Sequence, residues 1–363
     1  MYNKDSAIGN KDNNFNLIRL ILSIGVVCSH AFDLFPPSIS YTFAKLTQVG
    51  SLGECCVFQF FGISGFLIFQ SFLRNKSFLE FLIKRFLRLW PGLFVCISLT
   101  TVILGPLVTQ MSIKEYFQDK QTLEYWLGNI SLLTVRYHLP GVFEENYYKE
   151  AVNGSIWSLR IEFACYLMLL FSNYFVYRWL SRLEKYNKLI PKIPNLVIIT
   201  LLFIYILTCI YLWHDIPKVI LLIELKFFFI IGMIFHLLRK KIKFNLFILV
   251  FLIINWICFK HTFCNRIMYY LLIFYLLYCF AFSKSVRRAV KLDSDICYGT
   301  YIYGFPIQQL LYFYFPNLTS LSSLIFTIPI VLALACLSWY IVEKPCIKLI
   351  MKFRLIFPSL IKL

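Results

Sequence analysis

The chain has 363 residues, of which 60% are hydrophobic and 19% aromatic, while only 15% are charged. A soluble globular surface of this size needs far more charge, so an ordinary soluble domain is excluded. The net charge of +18 does not point to nucleic acid, because the basic residues stand in short clusters between apolar runs. That is the pattern of loops on the cytoplasmic side of a membrane.

Apolar runs long enough to cross a bilayer recur along the whole length and lack the period-two alternation of barrel strands. They predict an all-α polytopic membrane protein. Ten spans are expected, at about 14–32, 53–73, 89–109, 155–176, 195–213, 219–238, 244–260, 267–283, 296–315 and 322–343. Residues 1–13 read as a polar tail, 14–345 as the membrane domain and 346–363 as a basic tail, with no soluble domain. Placing residues 1–13 in the cytoplasm puts the basic clusters at 74–88, 178–192, 239–243, 284–291 and 344–362 inside as well. Both termini are therefore expected to be cytoplasmic. One outer connection is long, 110–153, and its aromatic stretches suit an interfacial or re-entrant element. The 12 cysteines have no zinc or disulfide spacing, and no metal is expected.

The first span carries Arg19 near one end and His30 near the other. Eleven helical residues return to within about 20° of the same face, so both point the same way, roughly 16 Å apart along the axis. Ionisable groups in a membrane helix are costly and usually face a protein interior or a wet cavity. Two explanations stand: one channel with a cation at its inner end and an imidazole at its outer end, or lipid snorkelling by Arg19 and a structural hydrogen bond from His30.

The second span contains Ser64-Gly65, which suits close helix packing and equally opens room for a narrow ligand. Arg85 and Arg88 share a face where the third span begins. With Arg19 they would form a phosphate-sized patch, unless each is an ordinary positive-inside anchor. The fourth span opens with Trp157-Ser158 and carries Glu162 about two turns in. Glu162 either orients His30 as a general base or pairs structurally with Arg160. Tyr301 and Tyr303 in the ninth span are interfacial anchors or hydroxyl donors. Glu343 ends the tenth span, where it would clamp Arg85 or Arg88. Glu224 and Lys226 form a further intramembrane pair with no assigned role.

Six stretches in this order resemble acyltransferase family 3, integral membrane acyltransferases that often O-acetylate cell-surface polysaccharides. They are Arg19 to His30; Phe60-Phe61-Gly62-Ile63-Ser64-Gly65-Phe66-Leu67; Arg85 to Arg88; and Trp157-Ser158 with Glu162. Tyr298-Gly299-Thr300-Tyr301-Ile302-Tyr303 and Glu343-Lys344-Pro345 complete the set, so the resemblance runs from about Asn14 to Pro345. It implies acetyl-CoA as a cytoplasmic acyl donor, a carbohydrate acceptor that is lipid-linked or polymeric, and residence in a bacterial inner membrane. Arg19, His30, Arg85, Arg88 and Glu343 match positions that the family pattern treats as functional; Arg19, Arg85, Arg88 and Glu343 are expected to serve the donor, His30 and Glu162 catalysis, and Trp157, Ser158, Tyr301 and Tyr303 substrate binding. The chain departs from it at Gly304, where many members have His, and at Gln59 and Arg160. A reading from another class is a polyprenyl-linked glycan flippase or polymerase, which also combines many spans with buried charges. It does not require an arginine patch aligned with one outer histidine.

Overall fold

The computed structural model describes residues 13–36, 49–74, 78–149, 151–181, 217–260, 262, 265–290, 292 and 294–349. These residues are helices and their connections, with one isolated antiparallel bridge between Thr109 and Val142. Helix α1 spans Phe15–Leu34, α2 Leu52–Arg74 and α3 Phe78–Leu99. Two short helices, α4 (Ile113–Gln118) and α5 (Lys120–Ile130), precede α6 (Trp157–Ser181) and α7 (Pro217–Leu238). Then come α8 (Leu246–Cys258), α9 (Asn265–Ala281), α10 (Lys284–Ala289), α11 (Cys297–Tyr314) and α12 (Ser320–Leu337).

Among the described residues, five segments are long and apolar enough to cross a membrane: Phe15–Leu34, Leu52–Arg74, Phe78–Val108, Leu221–Leu238 and Ser320–Leu349. Helices α8 and α9 are apolar but shorter. The span expected at 195–213 lies outside the described residues. The chain forms two compact units. The first comprises Met1–Gln59, Arg88–Ile156 and Lys243–Cys346; the second comprises Phe60–Leu87, Trp157–Ile242 and Ile347–Leu363.

In the first unit α1 packs against α11 and α12, and α8 against α9. The start of α1 is fixed by Asn14. Its backbone N–H donates to the Ala281 carbonyl at 2.8 Å, and its side-chain amide donates to the carbonyls of Phe280 and Ser283 at 3.1 and 3.0 Å. Helix α11 comes close to α1 at Gly304, where an added Cβ would lie 2.7 Å from a methyl of Val27. This explains the glycine: a histidine would push the two helices apart.

Helix α3 continues into a π-helical turn, Thr100–Leu104. There Thr100 and Thr101 turn their hydroxyls back to the carbonyls of Cys96 and Ile97, at 2.9 and 2.8 Å. A second π turn, Ser338–Glu343, follows α12. The outer connection expected at 110–153 is tied to this unit at several points. Ser112 and Glu115 form a capping box at the start of α4. The buried Tyr116 donates its hydroxyl to the Thr101 carbonyl at 2.9 Å. Trp126 donates to the Ser98 hydroxyl at 3.0 Å, and Trp90 to the Ile130 carbonyl at 3.1 Å.

In the second unit the latter part of α2 crosses α7. An added Cβ on Gly65 would collide with the backbone carbonyl of Phe229, and one on Gly232 with that of Gly62. Reciprocal glycines of this kind let two backbones touch. The space beside Gly65 is thus filled by protein. Gly65→Val is expected to cost about 1–3 kcal/mol or more, because backbone rather than a pliable side chain must give way. A lowered unfolding temperature in detergent, with loss of fluorescence-detected monodisperse protein, would show it.

Candidate functional site

Four charged residues of the first unit, Arg19, Arg88, Asp295 and Glu343, converge at one link. Asp295 stands in the short non-helical connection before α11, and its Oδ2 accepts from Arg19 Nη1 and Arg88 Nη2, both at 2.6 Å. Arg88 Nη1 donates to Glu343 Oε2, also at 2.6 Å. Glu343 Oε1 in turn accepts from the Ser338 hydroxyl at 2.9 Å. Cys297 Sγ lies 2.7 Å from the other oxygen of Asp295. The guanidinium of Arg88 also faces two rings, 5.4 Å from the centroid of Tyr298 and 5.5 Å from that of Trp339. These contacts place Arg88 in a box of two carboxylates and two aromatic faces, the geometry that suits a planar, weakly hydrated cation.

The π turn makes this box possible. Ser338 and Glu343 are five residues apart, which in an α-helix leaves them about 140° out of phase. A π turn closes on the i+5 residue, so the two stack on one face. Glu343 is thereby brought inward, with its side chain 1% exposed.

Asp295 was not among the residues the sequence singles out. It is one of two acids in the polar stretch Asp293-Ser294-Asp295, which has no helical period, and its partners lie 276 and 207 positions away. Burial raises its carboxyl pKa, but Arg19 and Arg88 outweigh burial and hold it well below the usual carboxylate range. The signal that could have found Asp295 is charge accounting, since two arginines at one end of the unit need more than Glu343.

Near the other end of α1, the ring of His30 packs edge-on against Phe305, with centroids 5.0 Å apart and planes at 77°. Among the described residues His30 forms no hydrogen bond or ion pair. Phe305 also meets Tyr148, at 5.9 Å between centroids, and abuts Gly154. Several amides bind the 146–153 segment to α11. Asn146 donates to the carbonyl and side-chain oxygens of Gln309 at 2.9 and 2.8 Å, and Gln309 donates to the carbonyls of Tyr148 and Ala151 at 2.9 and 2.7 Å. Asn153 donates to the Ile302 carbonyl at 3.0 Å. The segment 146–149 with 151–153 thus forms part of the wall around Phe305, the ring against which His30 packs.

The remaining expected residues divide between the units. Arg85 belongs to the second, where it donates to the Ser71 hydroxyl at 3.1 Å and lies over the Phe81 ring. Glu162, also in the second unit, accepts from Ser64 at 3.1 Å and from Tyr166 at 2.5 Å. Ser64 therefore has a polar partner that neither sequence reading assigned to it. Trp157 and Ser158 begin α6 in that unit, with Ser158 buried. Tyr301 and Tyr303 are buried in α11 of the first unit, and Tyr303 lies against Ser338.

Comparison with known proteins gives the same picture at the level of the family. The acyltransferase domain of acyltransferase family 3 matches residues 12–343. The chain is similar to an O-acetyl transferase of Shigella phage Sf6, 30% identical over 161 residues, which is 44% of this chain and 45% of that one. It is also similar to nodulation protein 10 of Rhizobium leguminosarum bv. viciae, 29% identical over 164 residues, 43% of each chain. It thus spans less than half the length of these curated relatives. No solved structure matches it. The match over residues 12–343 places the chain in acyltransferase family 3.

Proposed function

We propose that this protein is a membrane O-acetyltransferase that moves an acetyl group from acetyl-CoA to a sugar hydroxyl of a surface polysaccharide. The observation that carries the reading is the pairing on α1 of Arg19, inside the charged network, with His30, whose ring takes no hydrogen bond among the described residues. They stand roughly 16 Å apart along the helix, a length an extended pantetheine arm spans. The phosphates of the donor bind at the arginine end, on the cytoplasmic side of a bacterial inner membrane, and the thioester reaches toward His30. His30 takes the proton of the acceptor hydroxyl, the oxygen attacks the thioester carbonyl, and the carbon–sulfur bond breaks to release CoA. The outer connection, which reaches Phe305 through Tyr148, lines the acceptor side.

The acetylating activity of the phage relative supports acetyl as the transferred group. The test is direct. Membranes holding the protein and radiolabelled acetyl-CoA should transfer label to surface glycan, in an ester that mild alkali releases. Glycans identical by mass spectrometry with and without the protein would overturn the reading.

A further inference from the structure

Among the described residues two arginines and two carboxylates meet in the arginine network, and the charges of these four groups cancel. A neutral cluster is a poor seat for a phosphate, although two guanidinium groups converging on one oxygen are the arrangement a phosphate oxygen accepts. The oxygen now in that position is Oδ2 of Asp295. The two carboxylates are not equivalent. Glu343 sits on the π turn with its side chain 1% exposed, held by Ser338. Asp295 sits on a non-helical link with its side chain 16% exposed, beside Arg19 at 19%. Glu343 is the fixed counter-ion of Arg88, and Asp295 is the one placed to leave.

We propose that Asp295 occupies the phosphate seat of the donor, and that a donor phosphate exchanges with its carboxylate between Arg19 and Arg88. This rests on the donor reading given above and deepens it, by naming the residue that sets donor affinity. The free protein keeps its two cations neutralised by an internal anion. Binding moves the Asp295 carboxylate out on its link while Glu343 keeps Arg88 in place. A ligand of this kind gains only the difference between its own contacts and those of the displaced carboxylate.

The test measures binding of CoA and, separately, of inorganic pyrophosphate to the full chain in non-ionic detergent, where no anionic lipid competes. Removing one negative charge a few ångströms from the bound anion should tighten binding roughly tenfold in Asp295→Asn for both probes. Equal or weaker binding by a folded Asp295→Asn protein would overturn the exchange and make Asp295 a residue that only positions the arginines. A second readout needs no variant. Carbodiimide labelling of the wild type, followed by peptide mass spectrometry, should modify Asp295 more readily with CoA present than without it. Unchanged or reduced labelling with CoA would also overturn the proposal. The donor reading fails separately: tighter pyrophosphate binding in Asp295→Asn with no CoA binding by either protein would keep the exchange and remove CoA as its ligand.

Discussion

Replacing His30 with alanine is expected to lower acetyl transfer by about 10²–10⁴-fold, the range that a positioned general base contributes, while leaving the protein folded. The ring is held by an aromatic edge contact with Phe305 and takes no hydrogen bond among the described residues. Its loss therefore breaks no polar network, and the structural cost is that of one partly buried ring. His30→Gln keeps the size and polarity but cannot accept a proton near neutral pH, and should be as inactive as the alanine. The measurement is label transfer in membranes, with protein amount and unfolding temperature matched to the wild type. Full activity in either variant would remove His30 from the chemistry. A loss that tracks a lowered unfolding temperature would make it structural.

The second large effect concerns stability. Glu343→Ala should cost about 3–5 kcal/mol, because it leaves Arg88 with one counter-ion fewer in a site where charge is poorly solvated. Glu343 takes both a guanidinium hydrogen and the Ser338 hydroxyl, so two donors lose their acceptor at once. The double change Arg88→Met with Glu343→Leu removes both charges together, and it should recover much of that stability without recovering transfer. Unfolding in detergent followed by intrinsic fluorescence distinguishes the two. If the single and double variants are equally unstable, packing rather than charge governs the site.

Much of the helical layout is legible in the sequence, because an apolar run of bilayer length has few other solutions. Arg19, Arg88 and Glu343 are legible as well, since charges within or beside such runs demand partners. What is hidden is the joint between them. Asp295 stands in a short Asp-Ser-Asp stretch that reads as an ordinary loop, and its role depends on two helices from distant parts of the chain. The packing of the connection between Gln110 and Asn153 is hidden for a related reason. Its fixed points are the amides of Asn146, Asn153 and Gln309 bonded to backbone carbonyls, contacts that leave no periodic pattern. Glu162 shows the opposite case. Its position signals importance, but the identity of its partners, Ser64 and Tyr166, could not be read from spacing to Arg160 or depth relative to His30.

The π turn at Ser338–Glu343 carries a consequence about chain length. Such a turn is an α-helix with one residue inserted, and it persists only while the side chains at both ends hold it open. Deleting any one residue between 339 and 342 would let the helix close in ordinary phase with Glu343 at i+4 from Ser338, still on the same face. Inserting one residue there would instead carry Glu343 about 100° further round relative to α12. Glu343 would then turn away from Arg88 although no contacting side chain had been changed. At this point the protein counts residues as strictly as it chooses them.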